Sequence, residues 1–395
     1  MPNIKKTNPL YWKRNGATGS LYPAVLTDKV GIGTASPAYD LDVNGDSYIG
    51  DLTVGLFHTP YTNTITVSHT SGGDYATIQA ALNDNATANT LFLVYPGTYT
   101  DDTIHFTANN QEIRGMGISP SSVKITTASS NIVDYGDFTR CRINRMKMEV
   151  TAGTTLVHTV TGAAGSCNLV KCHTVMTTSY ATAGIQPSCI HSEGAGTVKV
   201  SEGTVEYNHS GSNAAVAKAL LNCEANDCST TFELANINIT CSGASFVSGL
   251  SFGTGATEIY MNRCFYDIED NGTAIVVGLY VGGAATGEFL YNSVHIKGTG
   301  VLAVGMYINA AGADVRSMYN HIHVEGATTN NSFFLNNFAS TLTSQFDDII
   351  AANGINNVGA ATVVQVNSES DGELNASGSI SAYDRDILRY NFLIS

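Results

Sequence analysis

The sequence has few charged residues: Asp, Glu, Lys and Arg make up 13% of its 395 residues, about half of the usual share. No run approaches the length of about 18 apolar residues that a membrane-spanning helix needs, so membrane insertion is not expected. The N-terminus lacks the apolar stretch of a secretory signal peptide, which predicts a protein made in a cytoplasm. The net charge of −14 disfavours nucleic acid as a partner.

An internal repeat occupies residues 245–352. A polar residue after a bulky one recurs at Asn262, Asn292, Asn320 and, more loosely, Asp347, with spacings of 30, 28 and 27. A second, alternating segment keeps the same period at 249–252, 278–281, 305–308 and 332–335. Looser copies of the first marker reach back to residue 143, and further copies of the second lie at 155–158, 188–191, 219–222 and 362–365. Two markers that share one period define a structural repeat.

Each repeat is too small to fold alone. It holds two or three short strands with alternating apolar and polar residues, separated by Gly and Asn turns, and no helical pattern. Because one such unit cannot bury its apolar face, the units must stack on one another. The sequence therefore predicts an all-β fold, a single-stranded right-handed parallel β-helix of about 9–11 coils with strands about 4.8 Å apart.

The eight cysteines form no CxxC pair and no Cys/His cluster with zinc spacing. Gly31-x-Gly33 lacks the third glycine and the following helix of a dinucleotide-binding fingerprint. No metal and no cofactor are therefore expected. Cys189 and Cys264 fall on apolar strand positions, which favours buried free thiols; disulfides between neighbouring coils are the alternative.

Residues 30–45 read VGIGTASPAYDLDVNG. They combine a glycine turn, a Ser-Pro turn and a short strand that ends at an Asn-Gly hairpin signal. This segment resembles one that recurs in the tail fibres of tailed bacteriophages and related virion appendages, and in some bacterial surface proteins. The resemblance implies a shaft or connector region of a trimeric fibre, and it carries no chemistry.

Residues 71–126 carry a second resemblance. Asp74 is the predicted N-cap of a short helix with Ile78, Ala81 and Leu82 on one face, and a buried strand and a Pro-Gly turn follow. The segment resembles the start of pectin-lyase-like β-helix proteins, in which a small helix covers the open end of the solenoid. It implies the fold superfamily alone, because the catalytic motifs of pectin methylesterase have no match beyond this region.

These patterns divide the chain into four segments. Residues 1–22 are basic and without periodicity, which indicates an extended anchoring arm docked on another subunit or virion protein, or a tail lying on its own rod. Residues 23–70 form the predicted shaft, and 71–375 the β-helix with its lid helix. Residues 376–395 form an apolar tail that is expected to cap the last coil, to join three chains, or both.

Three acidic residues are the candidates for catalysis. Enzymes that this chain resembles place carboxylates on adjacent coils of one outward face, and Glu193, Glu224 and Asp227 follow the second marker in successive coils. They could approach one another within the roughly 5–9.5 Å that glycoside hydrolysis uses. Solvated turn residues are the alternative, and because any acidic solenoid collects them in its turns, no catalytic residue is assigned.

Two further columns of side chains are predicted along the solenoid. His295 and His323 align and should stack on neighbouring coils about 4.8 Å apart. No carboxylate ligand is expected in their slot, so the stack does not predict a metal site. Asn262, Asn292 and Asn320 are predicted to form a ladder of hydrogen-bonded side-chain amides.

A stiff rod without an assigned reactive cluster favours a structural function. We expect a virion appendage, a homotrimeric phage tail fibre or spike that is anchored through residues 1–22 and takes part in host attachment. Its expected partners are further copies of itself, other virion proteins and a host surface polysaccharide, and its expected location is the virion. Two alternatives stay open: a tailspike depolymerase that cleaves host polysaccharide, and a subunit of a non-viral extracellular β-helical filament.

Overall fold

The computed structural model describes strands at 12–14, 21–23, 30–32 and 41–43, and then residues 61–100, 103–127, 132–151, 156–161, 164–179, 187–192, 196–210, 213–223, 229–242, 244–252, 258–272, 275–336, 340–345, 347–357, 361–366, 369–370, 373–376 and 380–383. The chain divides into two compact units, Met1–Thr59 and Pro60–Ser395. No helix among these residues is long and apolar enough to cross a membrane.

The first unit holds two pairs of short strands. Trp12–Arg14 pairs antiparallel with Leu21–Pro23, and Val30–Ile32 pairs in parallel with Leu41–Val43. The second pair comes from the segment that resembles virion fibres. The Asn44-Gly45 turn signal after it lies outside the described residues.

The second unit is built from three parallel sheets of 13, 11 and 11 strands. Sheet 1 contains Asn63–Val67, Thr90–Val94, Glu112–Gly115, Arg142–Asn144, Ser166–Val170, Thr197–Ser201, Ser229–Glu233, Glu258–Asn262, Thr286–Leu290, Asp314–Met318, Thr341–Gln345, Thr362–Val366 and Ile380–Tyr383. Sheet 2 contains Gly97–Tyr99, Val123–Thr127, Lys147–Thr151, His173–Thr178, Thr204–His209, Asn236–Cys241, Phe265–Asp270, Ser293–Gly298, His321–Glu325, Asp348–Ile350 and Glu369–Ser370. Sheet 3 contains Ile104–His105, Val133–Asp134, Leu156–Val160, Ser188–Ser192, Asn213–Cys223, Ala244–Phe252, Ile275–Val281, Leu302–Ile308, Thr329–Leu335, Asn353–Asn357 and Glu373–Ala376.

From Thr90 to Ala376 each coil contributes one strand to each sheet, in the order 1, 2, 3, and neighbouring strands in a sheet come from successive coils. In sheet 2, Phe265 pairs with Ser293, Ser293 with His321 and His321 with Asp348, which are steps of 28, 28 and 27 residues. The predicted all-β right-handed parallel β-helix and its period are therefore confirmed. One predicted strand is assigned differently: residues 362–365 lie in sheet 1, whereas the other copies of the second marker lie in sheet 3.

The solenoid extends beyond the limits set from the sequence. Asn63–Val67, within the predicted shaft, pairs in register with Thr90–Val94 of sheet 1. Ile380–Tyr383, within the predicted tail, continues the same sheet by pairing with Thr362–Val366.

The lid helix spans Ile78–Asp84. Ile78 and Leu82 are fully buried, and the helix contacts the first strands of sheets 1 and 3, so it covers the N-terminal end of the core. The predicted N-cap is wrong: Thr77 accepts the capping hydrogen bond from the Ala80 backbone N–H. Asp74 instead accepts bonds from the backbone N–H and the hydroxyl of Thr66, both 2.8 Å long, and these bonds lower its pKa.

The core lies between the three sheets, where alternate residues of each strand point inward. In sheet 1, Phe232, Met261 and Phe289 occupy one such column on successive coils and are almost fully buried. Free cysteines act as small core residues at other inward positions, and those described are Cys141, Cys167, Cys172, Cys189, Cys241 and Cys264. The prediction of buried free thiols is confirmed for these six.

These six thiols are expected to resist alkylation in the folded protein. Burial raises the pKa of Cys172 to about 12 and that of Cys264 to about 11, so the reactive thiolate is scarce at pH 8 as well as inaccessible. Titration with a chromogenic disulfide reagent should show at most 8 − 6 = 2 fast thiols per chain, and six that react at least about 100-fold more slowly until urea is added. Fast reaction of three or more thiols in the folded protein would contradict this burial.

The turn between sheets 1 and 2 repeats the same backbone conformation in successive coils. Arg263, Tyr291 and Tyr319 each have a φ of 53° to 56°, a left-handed conformation that is uncommon for residues with a side chain. The chain thereby passes from sheet 1 to sheet 2 within two residues, and the residue after each one points into the solenoid. In three successive coils that next residue is Cys264, Asn292 and Asn320.

The inward residues of this turn form the predicted ladder. The side-chain amide of Asn292 donates to Asn320 Oδ1 at 2.9 Å, and the amide of Asn320 donates to Asp347 Oδ1 at 3.1 Å. Burial raises the pKa of Asp347, although several hydrogen bonds oppose the shift. The ladder is confirmed for Asn292 and Asn320 and wrong for Asn262, which ends a strand of sheet 1 and pairs with Leu290.

Candidate functional site

The three acidic residues considered as catalytic candidates, Glu193, Glu224 and Asp227, lie outside the described residues. Their possible approach to one another stays a prediction. The described part of the solenoid offers other clusters of functional side chains, on the outward faces of sheets 1 and 2.

A polar groove of about 420 Å³ runs along the outward face of sheet 1 over four coils. We call it the sheet 1 groove, and it is lined by Ser229, Thr230, Thr231, Glu258, Ile259, Tyr260, Thr286, Gly287, Glu288, Asp314 and Arg316. The strands alternate here, so that Ile259 and Val315 are buried in the core while Glu258 and Asp314 point outward. Side chains that recur at this position therefore share one exposed surface.

Three carboxylates converge on the groove. Glu258 and Asp314 both pair with Thr286, on the coils to either side of it, so their backbones lie about 10 Å apart. Glu288 lies on the middle coil, two residues further along its strand. The guanidinium Nη1 of Arg316 lies 3.6 Å from Glu288 Oε1, which makes an ion pair. With three acidic groups and one guanidinium, the groove is net negative, which favours neutral hydroxyl-rich ligands over anionic ones.

A pair of exposed tyrosines lies at the end of the same strands. Tyr291 and Tyr319 are 54% and 48% exposed, and their rings stack in parallel with centroids 5.0 Å apart. Each follows a groove residue by three positions, Glu288 and Arg316 respectively. The two coils that supply the centre of the groove thus also supply an aromatic surface at its border.

The outward face of sheet 2 carries a ladder of histidine and carboxylate side chains. His295 Nδ1 lies 2.9 Å from Asp267 Oδ1, and His295 Nε2 lies 3.4 Å from Glu325 Oε1. The predicted stack of His295 on His323 is confirmed, with ring centroids 5.1 Å apart. The expectation that no carboxylate shares this slot is wrong, because Asp267 pairs directly with His295. Half-exposed pairs of this kind contribute roughly 0–1 kcal/mol each.

Within the described ranges, no group of three or more His, Cys, Asp and Glu side chains is arranged to hold a metal ion. In the sheet 2 ladder, carboxylate oxygens of Asp267 and Glu325 already lie beside the two ring nitrogens of His295.

A buried carboxylate lies near the N-terminal end of sheet 1. Glu112 is fully buried and accepts hydrogen bonds from Arg114 Nε at 2.7 Å, from Asn144 Nδ2 at 3.1 Å and from the Tyr61 hydroxyl. Burial alone would raise its pKa, but the bonds from Arg114, Tyr61 and Asn144 outweigh burial and lower it. Because its oxygens are fully engaged and inaccessible, this carboxylate fastens Tyr61 to the first coils and is not available to a ligand.

The sequence contained a signal for the sheet 1 groove that was not used. Glu258 and Asp314 are 314 − 258 = 56 residues apart, which is two periods of 28, and both open a strand of sheet 1. The sequence pattern places the predicted carboxylate candidates in turns, whereas Glu258 and Asp314 lie on strands. Their proximity depends on register, which the period alone predicts.

Comparisons with known proteins assign no family to the chain. No family model matches the chain, and no curated protein matches it. Among solved structures, a pectin methylesterase from Aspergillus niger aligns at 14% identity and a TM-score of 0.33, over 82% of this chain and 92% of that one. A pectin methylesterase from carrot aligns at 10% identity and a TM-score of 0.34, over 82% and 89% respectively. Similarity at this level assigns no activity to the chain.

Proposed function

We propose that the chain is the subunit of a homotrimeric virion appendage whose β-helix binds a neutral host-surface glycan in the sheet 1 groove. The observation that carries the proposal is the coincidence, on successive coils, of a carboxylate-lined groove with the exposed pair Tyr291 and Tyr319. Carboxylate and hydroxyl groups recognise sugar hydroxyls through hydrogen bonds, and charged acceptors make the stronger ones. Aromatic rings bury the apolar faces of pyranose rings.

The solenoid suits this function mechanically. Its three continuous sheets leave few unpaired backbone groups along the rod, and its core is continuous from the lid helix to Val363. Such a scaffold resists local unfolding and holds groove side chains from different coils at fixed spacings. Attachment to the particle through residues 1–22 completes the proposal and rests on the basic, non-repetitive composition of that segment.

The three carboxylates also favour a second candidate function, a depolymerase that cleaves the bound glycan. Acidic pairs in glycoside hydrolases lie about 5–9.5 Å apart, and residues on adjacent strands about 4.8 Å apart can meet that range. Glu258 and Glu288 are on adjacent coils and two strand positions apart. In this alternative one of them protonates the leaving oxygen while another activates water or attacks the sugar.

Binding to purified neutral and uronate-containing capsular polysaccharides tests the first proposal. Glu258→Ala and Glu288→Ala are each expected to weaken binding of a neutral polysaccharide about 10-fold, the effect of losing one or two hydrogen bonds to a charged group. Glu206→Ala removes the same charge from sheet 2 and should bind like the wild type. Absence of binding to every polysaccharide, or equal loss in the Glu206 variant, would exclude a glycan site in the groove.

The same samples separate binding from cleavage. A depolymerase releases new reducing ends during incubation, and Glu258→Gln or Glu288→Gln should abolish that release while the polysaccharide still binds. A purely structural appendage binds and releases nothing.

A further inference from the structure

Charge is unevenly distributed around the solenoid. Five successive strands of sheet 3 contain no Asp, Glu, Lys, Arg or His: Ala244–Phe252, Ile275–Val281, Leu302–Ile308, Thr329–Leu335 and Asn353–Asn357. In every one of the same coils, a strand of sheet 1 or sheet 2 carries at least one charged residue, such as Glu233, Asp267, Lys297, Arg316 and Asp348. One side of the central solenoid is thus uncharged.

The outward side of these strands is aromatic. Leu279 and Val281 belong to the core, so Tyr280 between them points outward, and it pairs with Tyr307 and then Phe334 on the next coils. The rings meet edge to face, with centroids 5.5 Å apart for Tyr280 and Tyr307 and 5.0 Å for Tyr307 and Phe334. Each ring is half-buried. They form a continuous column along the solenoid.

Aliphatic and amide side chains complete this surface. Leu302, at the start of the strand that carries Tyr307, is half-buried. Val301, just before it, is 63% exposed. Asn309 donates to the Tyr280 hydroxyl at 3.0 Å, and Asn336 donates to the Tyr307 hydroxyl at 3.2 Å. These bonds satisfy the phenol groups within the chain, so the column offers an apolar surface whose polar atoms already have partners.

We propose that this surface, defined by Tyr280, Leu302, Tyr307, Phe334 and Val301, is where copies of this chain pack against one another. Only the number of copies, three, rests on the proposed function; the contact face is inferred from sheet 3 itself. Two copies that each carry a charge of −14 repel one another wherever acidic faces meet. The uncharged side of sheet 3 lets them approach without burying unpaired charge.

The dimensions fit an interface between proteins. Strands of about seven residues are at most about 23 Å long and five rungs span roughly 20–25 Å, which gives at most about 500 Å² per copy before side-chain relief is added. Two such faces bury about 1,000 Å² together, the lower limit for a specific interface, and a patch of about 500 Å² is among the larger ones that monomers expose. Around a three-fold axis, the same face of each copy would contact both neighbours.

Sedimentation of the full chain tests the proposal. The wild type is expected to sediment as an oligomer, and Tyr307→Glu and Val301→Glu to weaken association at least about 100-fold, because each buries a charge at the contact. Val301 is exposed within one chain, so its substitution leaves the fold of the monomer intact, as far-UV circular dichroism should confirm. Thr343→Glu adds the same charge to the outward side of sheet 1 and should leave the oligomer unchanged.

Two results would overturn the assignment. One is a wild-type chain that sediments as a monomer. A monomer that binds phosphatidylcholine vesicles through this face would likewise overturn the assignment. The other is an oligomer that persists in Val301→Glu at the wild-type dissociation constant. Polysaccharide binding by the same variants distinguishes failure of this proposal from failure of the proposed glycan site. If only the contact face is wrong, the polysaccharide still binds. If only the glycan site is wrong, Val301→Glu still dissociates the oligomer.

Discussion

Replacing Asn320 by Ala is expected to lower the free energy of unfolding by about 3–5 kcal/mol, because several buried groups lose their partners together. Asn320 is 2% exposed. Its amide donates to the Phe289 carbonyl at 2.8 Å and to Ser317 Oγ at 3.0 Å. Its oxygen accepts the Asn292 backbone N–H at 2.8 Å and the Asn292 side-chain amide at 2.9 Å.

The cost arises from what the substitution leaves behind. Without the Asn320 side chain, the buried Asn292 N–H loses the acceptor of its hydrogen bond and the Phe289 carbonyl loses the bond from the Asn320 amide. A buried polar group left without any partner costs about 1–3 kcal/mol. Water has little room to replace the amide inside a packed turn. Neighbouring coils depend on one another in a solenoid, so the loss should be visible in urea unfolding followed by far-UV circular dichroism and in faster hydrogen exchange of the adjacent coils.

Asn262→Ala is the matched control. Asn262 ends a strand of sheet 1 and is only half-buried, and the same amide is removed from a position outside the ladder. We expect a change below about 1 kcal/mol there. Equal losses at the two positions, or a loss under 1 kcal/mol at Asn320, would mean that the ladder does not stabilise the turn.

These two asparagines also mark the limit of the sequence prediction. The period of about 28 residues predicts the coils and the pairing of Asn292 with Asn320, since identical side chains at one spacing must lie above one another in a stack. It fails at Asn262, whose marker spacing is 30. Counting 28 back from Asn292 gives Cys264, the residue that occupies the ladder slot. The left-handed residue Arg263 breaks the alternation of the strand. Asn262 therefore lies half-buried at the strand end, whereas Cys264, two residues later, is buried in the core.

Contacts between side chains on the surface were less predictable. The alignment of His295 with His323 follows from the period, and the same arithmetic, 295 − 267 = 28, would have placed Asp267 beside His295. The sheet 1 groove was missed for a different reason. An outward Glu on an alternating strand is ordinary in sequence, and only the register of three consecutive strands brings Glu258, Glu288 and Asp314 to one surface. The aromatic column of sheet 3 was missed for the same reason: in the sequence Tyr280, Tyr307 and Phe334 are isolated aromatic residues, and only the register of the strands brings them together.

Acidification is expected to destabilise the solenoid through His158. Its imidazole is fully buried, with Nδ1 3.4 Å from the Tyr135 hydroxyl and Nε2 3.3 Å from Thr174 Oγ1. Burial lowers the pKa of His158 from 6.5 to about 3. The folded state therefore keeps this ring neutral at a pH where the unfolded chain protonates it.

The direction of the change in stability with pH follows from which state binds the proton. Above pH 6.5 both states are neutral at this position and His158 leaves stability unchanged with pH. Between about pH 6.5 and 3 only the unfolded chain takes up the proton, so stability falls by about 1.4 kcal/mol for each pH unit. At pH 4 the loss due to His158 is therefore about 3 kcal/mol, in addition to what the carboxylates contribute.

His158→Gln isolates this contribution, because Gln can keep a donor and an acceptor in the cavity but does not titrate. Free energies of unfolding measured from pH 7 to 4 should fall more steeply for the wild type than for this variant, by about 3 kcal/mol over the range. His321→Gln is the control: that ring is 46% exposed and pairs with Asp348 at 2.8 Å, so its removal should leave the steep wild-type slope in place. Parallel curves for the wild type and His158→Gln would mean that the buried ring accepts its proton in the folded state, which the apolar surroundings of His158 oppose because they cannot stabilise an imidazolium.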